Sequence, residues 1–211
     1  MSMTRRTIGC LAATLLSFAA LGVQAQAKAP EALIKEVSTD VLEAVKADKT
    51  IQAGDLRKVI ALVDQKVLPY VNFQRMTASA VGRYWKQATP DQQKRLQDEF
   101  KLLLVRTYSG ALSQVNAEQN VELRPMRSAP TDNEVVVRTE IKGKGDPIQL
   151  DYRLEKAGDS WKIYDVNVLG VWLVENYRNS FAQEIGANGI DGLIAKMAER
   201  NKSAAAGGAK S

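Results

Sequence analysis

The chain has 211 residues, 45% of them apolar and 25% charged, with a formal charge of +5: an ordinary globular composition whose basic balance is too small to argue for nucleic acid. It has no histidine and one cysteine, Cys10, which falls in an apparent leader. That excludes Cys-His and Ser-His-Asp nucleophiles, thiolate or imidazole metal sites and an imidazole proton shuttle; no metal or cofactor is expected.

Arg5 and Arg6 precede an uncharged apolar run from Ile8 to Val23, followed by the small-residue stretch V-Q-A-Q-A. This reads as a secretory signal over 1–25, with cleavage after Ala25 or Ala27, and the run is too short for a permanent membrane span. Residues 28–202 are expected to form one domain, with 203–211 a flexible tail of small residues.

Leu33, Ile34, Val37, Val41, Leu42 and Val45 mark an amphipathic helix over 29–47. Asp55 caps a second, with Leu56, Val59, Ile60, Val63 and Val67 on one side until Pro69 ends it. Asn72 caps a short third helix, which Gly82 closes. The longest helical signal runs from Thr89 to Asn116, where Thr89-Pro90-Asp91 supplies an N-cap, a first-turn proline and an acid at the positive end of the dipole. Leu96, Phe100, Leu103, Tyr108, Ala111, Leu112 and Val115 lie on one side of it. Leu102 to Val105 is apolar on more than one face, so two sides need covering, and part of the second can line a cavity.

Beyond this helix the period changes from 3.6 to 2. Val135 to Lys142 and Ile148 to Glu155 alternate apolar with polar, joined through Gly143, Gly145 and Pro147, and Trp161 to Leu169 follows a Gly158-Asp159 turn. An earlier strand spans about Val121 to Arg127, before a turn at Pro130 and Asp132-Asn133. Val171 to Gly186 and Gly189 to Met197 read as closing helices. The expectation is α+β: a four-stranded twisted antiparallel sheet packed on the long central helix, with N- and C-terminal helices enclosing an apolar pocket.

Several segments together resemble the MlaC, or toluene-tolerance, family. They include V-L-P-Y-V (67–71), G-R-Y-W-K-Q-A-T-P-D-Q-Q (82–93), E-F-K-L-L-L-V-R-T-Y-S-G-A-L (99–112), P-I-Q-L-D-Y-R-L (147–154), W-K-I-Y-D-V (161–166), G-V-W-L-V-E-N-Y-R-N-S-F (170–181) and G-I-D-G-L (189–193). The resemblance implies a periplasmic, non-enzymatic carrier that holds phospholipid acyl chains in an apolar cavity and leaves the headgroup near its mouth. It also implies transfer between the outer and inner membranes, which keeps phospholipid out of the outer leaflet. The implied partners are the phospholipid ligand, an inner-membrane ABC transporter bearing an MCE-domain ring (MlaD-like) and an outer-membrane lipoprotein–porin complex (MlaA-like).

The side chains expected to face the lipid tails are Phe73, Leu103, Tyr108, Leu112, Val137, Leu150, Tyr152, Val168, Val171, Leu173 and Tyr177. Their cavity is expected near the top of the usual range of about 300 to 1,000 Å³. Arg83, Lys86 and Arg106, with the free N–H groups at the helix starts near Asn72 and Thr89, are candidates for a phosphate. Two other readings remain open: an enzyme using Asp165 or Asp151 with Tyr152 or Tyr164 in acid–base chemistry, and a filled interaction module. Against the first, a bulge or a buried aspartate held by backbone donors is the more ordinary account of Asp165 in an apolar strand.

Overall fold

The computed structural model describes residues 28–126 and 132–207. The expected leader, the Arg127 end of the first strand and the Pro130 turn lie outside the described residues, as do positions 208–211 of the expected tail. The elements are α1 (Pro30–Ala47), α2 (Lys49–Gln52), α3 (Leu56–Leu62), α4 (Phe73–Val81), α5 (Pro90–Tyr108), β1 (Asn120–Arg124), β2 (Glu134–Lys142), β3 (Ile148–Ala157), β4 (Ser160–Val168), β5 (Val171–Trp172) and α6 (Leu173–Gly207).

Local chemistry fixes most boundaries. Asp55 accepts from the Arg57 and Lys58 N–H groups, and Asn72 from that of Arg75, so α3 and α4 start where their caps stand. Gly82, at φ 64° and ψ −135°, ends α4 in a conformation that side chains avoid. Thr89 and Gln92 form a reciprocal capping box at the head of α5.

The central helix is shorter than its apolar period suggests. It stops at Tyr108, and Ser109–Gln114 continues as a 3-10 segment. There the Ser109 hydroxyl bonds back to the Arg106 carbonyl, and Gly110 adds backbone freedom. A second irregular stretch follows α3, where Val63–Val67 forms a π turn.

The sheet is an antiparallel meander in sequential order, with five strands rather than the expected four. The extra one is the short β5, in a segment whose apolar run reads from sequence as the start of a helix. Leu169 and Gly170, both at positive φ, turn the chain back so that Val171 pairs with Val168 before α6 begins. α6 is broken once, at Gly189, whose φ of 72° and ψ of −180° are non-helical; its helix is described as far as Gly207.

Between β3 and β4 the register shifts by one residue: Leu154 pairs with Ile163, and Arg153 pairs with Asp165, leaving Tyr164 as the extra residue of a bulge. Because side chains alternate across a strand, this exchanges the faces of β4 at that point. Trp161 and Ile163 face inward before the bulge, with Leu154. After it, Val166 and Val168 face inward opposite Tyr152 and Leu150, and Asp165 turns to the other face.

Two apolar layers flank this sheet. Leu33, Ile34 and Val37 of α1 pack on Val135, Val137, Tyr152, Leu154, Trp161 and Ile163 at one end of the inner face. A separate cluster joins α4, α5 and α6 around Phe100, which meets Tyr177 and Phe181 edge-on at centroid distances of 5.1 and 5.3 Å. The Val71 strand bridge to Ile163 and the Asn72 N–H on the Ile163 carbonyl at 2.8 Å dock the start of α4 against β4.

Candidate functional site

The remaining part of the sheet's inner face is not covered by α1. Ile141, Ile148, Leu150, Val166 and Val168 look across a cavity of about 370 Å³ toward Leu104, Val105 and Tyr108 of α5 and Ala111, Leu112 and Val115 beyond it. Val63, Val67, Leu68 and Val71 form a third wall, and Phe73, Met76 and Leu173 join from α4 and α6. The polar members are Lys101, Gln114 and Gln119. Such a lining offers apolar side chains almost everywhere and no array of catalytic groups.

Both irregular helical segments belong to this wall. The π turn brings Val63 and Val67 to it, and the 3-10 segment brings Ala111, Leu112 and Gln114. Both depart from regular helix geometry where they meet the void. Tyr108 sits half-buried beside them, and burial pushes its phenol above the ordinary value.

Of the side chains expected from sequence, Phe73, Tyr108, Leu112, Leu150, Val168 and Leu173 stand on the cavity wall. The others stand elsewhere. Leu103 and Tyr177 are in the Phe100 cluster, at 3% and 6% exposure. Val137 and Tyr152 pack under α1, where the Tyr152 hydroxyl lies 3.2 Å from Ser38 Oγ. Val171 is 47% exposed on β5. With Leu103, Val137, Tyr152 and Tyr177 filling interior space, the cavity is near the bottom of the ligand-pocket range of about 300 to 1,000 Å³, not near its top.

Leu104 and Val105 are wall residues that periodicity alone passes over, although the run of four apolar residues carrying them announced a second buried side. Val63 and Val67 carry a helical burial signal and Val166 lies in an apolar strand, but a π turn and a bulge decide that they face the cavity.

The phosphate candidates lie outside this lining. Arg83 and Lys86 border a separate groove of about 660 Å³ with Arg75 and Arg178, between α4, the Gly82–Gln87 turn and α6. Arg106 is half-buried on α5, off the cavity wall. The N-terminal N–H groups are capped from within, by Asn72 on α4 and Thr89 on α5.

The acid–base candidates do not converge on the cavity. Asp165, 1% exposed, is held on its other face: Oδ1 accepts the Val166 and Val174 N–H groups at 2.9 and 3.1 Å, and Oδ2 accepts from Arg153 at 3.0 Å. Burial raises its pKa, while those donors act against the rise. Tyr164 donates to Glu134 beneath the Arg75 guanidinium, and Asp151 pairs loosely with Arg138 at 4.0 Å.

No helix among the described residues is long and apolar enough to cross a membrane. A solved phospholipid-binding protein from Ralstonia solanacearum, in complex with a phospholipid, is similar at 46% identity and a TM-score of 0.79, over 83% of this chain and 98% of that one. The toluene tolerance protein ttg2D of Pseudomonas putida is 26% identical over 90% of both chains. The intermembrane phospholipid transport system binding protein MlaC of Haemophilus influenzae is 25% identical over 80% of both. A family profile described as MlaC protein matches residues 35–199, most of the chain, and the protein belongs to the MlaC family.

Proposed function

We propose that this chain is an exported periplasmic carrier that takes phospholipid acyl tails into the cavity between α5 and the sheet and moves phospholipid between the outer and inner membranes, maintaining lipid asymmetry in the outer one. The observation that carries the reading is the cavity wall, apolar except for Lys101, Gln114 and Gln119, in a fold shared with a protein seen holding a phospholipid. The family is one of binding proteins rather than enzymes.

The physics of transfer favours such an enclosure. About thirty methylenes brought into water cost on the order of 0.8 kcal/mol each, roughly 25 kcal/mol in all. A soluble intermediary needs an apolar interior to offset that cost. Two tails need more room than the described cavity offers, so this reading requires its walls to part, and the irregular π turn and 3-10 segment are among those walls. The membrane partners in this reading are an inner-membrane ABC transporter bearing an MCE-domain ring and an outer-membrane lipoprotein–porin complex.

Native mass spectrometry and lipid extraction of the purified protein test the proposal. Phospholipid bound in a fixed ratio to the chain is the expected result. A protein that purifies empty and takes up no phospholipid from vesicles overturns it.

A further inference from the structure

Lys101 is the one charged side chain among the described residues that line the cavity. It stands on α5, one turn before Val105, and its ammonium reaches Asp64 of the π turn at 2.9 Å. The pair is partly hydrated, with side-chain exposures of 24% for the lysine and 43% for the aspartate. A lysine in this setting lays its four-carbon stem along an apolar wall and holds its charge at the water edge.

The π turn gives the pair its position. Val63 and Val67 face the cavity from either end of the turn, and Asp64, next to Val63, is exposed at its edge. The ion pair therefore joins two walls of the cavity where apolar lining gives way to solvent. One of the three ammonium donors is used by Asp64. An exposed carboxylate is a weak hold, because solvent screens the attraction and the side chains lose freedom in pairing.

We propose that Lys101 is the phosphate anchor of the carrier: when tails fill the cavity, its ammonium leaves Asp64 for the phosphodiester of the bound lipid. This rests on the phospholipid-carrier reading and specifies its ligand class. The phosphodiester is common to glycerophospholipids whatever alcohol they carry, so a single lysine selects for the phosphate and ignores the headgroup beyond it. A neutral diacylglycerol with the same tails gains nothing from the lysine and leaves it on Asp64. Gln114 and Gln119, the other polar members of the lining, carry no charge for the phosphate.

The test is competition between dioleoylphosphatidylglycerol and dioleoylglycerol presented in mixed vesicles to the delipidated full chain, with bound lipid quantified by mass spectrometry. The parent protein should enrich the phospholipid. Lys101→Gln should lower that enrichment about tenfold, and Lys101→Arg should keep it. Asp64→Asn should match or exceed the parent, because it frees the lysine.

Opposite effects of Lys101→Gln and Asp64→Asn separate an anchor from a strut: if both lower phospholipid uptake alike, the pair only braces the walls and the inference is overturned. Unchanged enrichment in Lys101→Gln overturns it too. Calorimetry with glycerol 3-phosphate supplies the tail-free arm. Binding of that compound as tight as that of the lipid, and lost in Lys101→Gln, marks a site for soluble phosphate instead of a lipid anchor. A parent protein that takes up neither lipid overturns the carrier reading, and this inference with it.

Discussion

Asp165 Oδ1 accepts the N–H of Val174 at 3.1 Å, so a carboxylate on β4 closes the first turn of α6. The same oxygen takes the Val166 N–H, and Oδ2 takes Arg153, whose guanidinium lies 3.9 Å over the Trp172 ring. The bulge at Tyr164 turns the aspartate away from the cavity side and toward these donors, which makes it the joint between sheet and helix.

That joint has a pH signature. Burial raises the Asp165 carboxyl above its ordinary 3.8, so the folded chain holds this proton more tightly than the unfolded one. Its contribution to stability is most favourable below that value and declines as pH rises through the raised pKa. Asn at this position does not titrate, and it costs about 1–3 kcal/mol at neutral pH by taking a buried carboxylate oxygen away from Arg153, which keeps its second partner, Glu175, at 3.1 Å. Thermal melts of parent and Asp165→Asn from acid to neutral pH should show the parent's advantage shrinking as pH rises across that window and level above it. A growing advantage there contradicts the assignment.

Leu112 is half-buried on the cavity wall, in the 3-10 segment opposite the sheet. Leu112→Trp adds an indole to open space rather than to packed core. Phospholipid co-purifying with the chain should drop about tenfold, the effect of roughly 1.4 kcal/mol, with little change in melting temperature. Lipid content equal to the parent's removes Leu112 from the lining.

Phe100 is fully buried among Phe73, Tyr177 and Phe181. Phe100→Ala should cost about 3–5 kcal/mol by denaturant unfolding, because a ring and its edge-on contacts are lost and the surrounding helices close the gap only in part. A loss below about 1 kcal/mol would mean that the three helices repack freely, against the close packing described here.

Gly189 breaks α6 at φ 72° and ψ −180°, a region that essentially only glycine visits. An added Cβ there meets nothing within 4 Å, so the penalty in Gly189→Ala is one of backbone conformation alone. The expected destabilisation is about 1–3 kcal/mol, read by chemical denaturation. Neutrality would indicate that α6 runs straight through this position in solution.

Much of the architecture was legible because its causes are local. The caps at Asp55, Asn72 and Thr89, the stop at Gly82 and the change of period after Asn116 place helices and strands without reference to anything distant. The resemblance carried by the motifs agrees with the family that residues 35–199 match. The fifth strand was not legible, since Val171 and Trp172 suit a helix start as well as a strand, and only pairing with Asn167 and Val168 decides between them.

The site divides along the same line. Sequence by itself determined which faces are apolar, and the absence of histidine removed whole classes of chemistry. It did not determine which apolar faces meet. Leu103 and Leu104 are consecutive leucines of α5, yet the first is buried in the Phe100 cluster and the second stands on the cavity wall. A filled interior and a hollow one call for the same residue types, so periodicity reports the need for burial and not what does the burying. That was decided by the bulge that turns Val166 and Val168 inward and by α1, which covers one end of the sheet and leaves the other open. Spacing between layers is a property of the assembled chain.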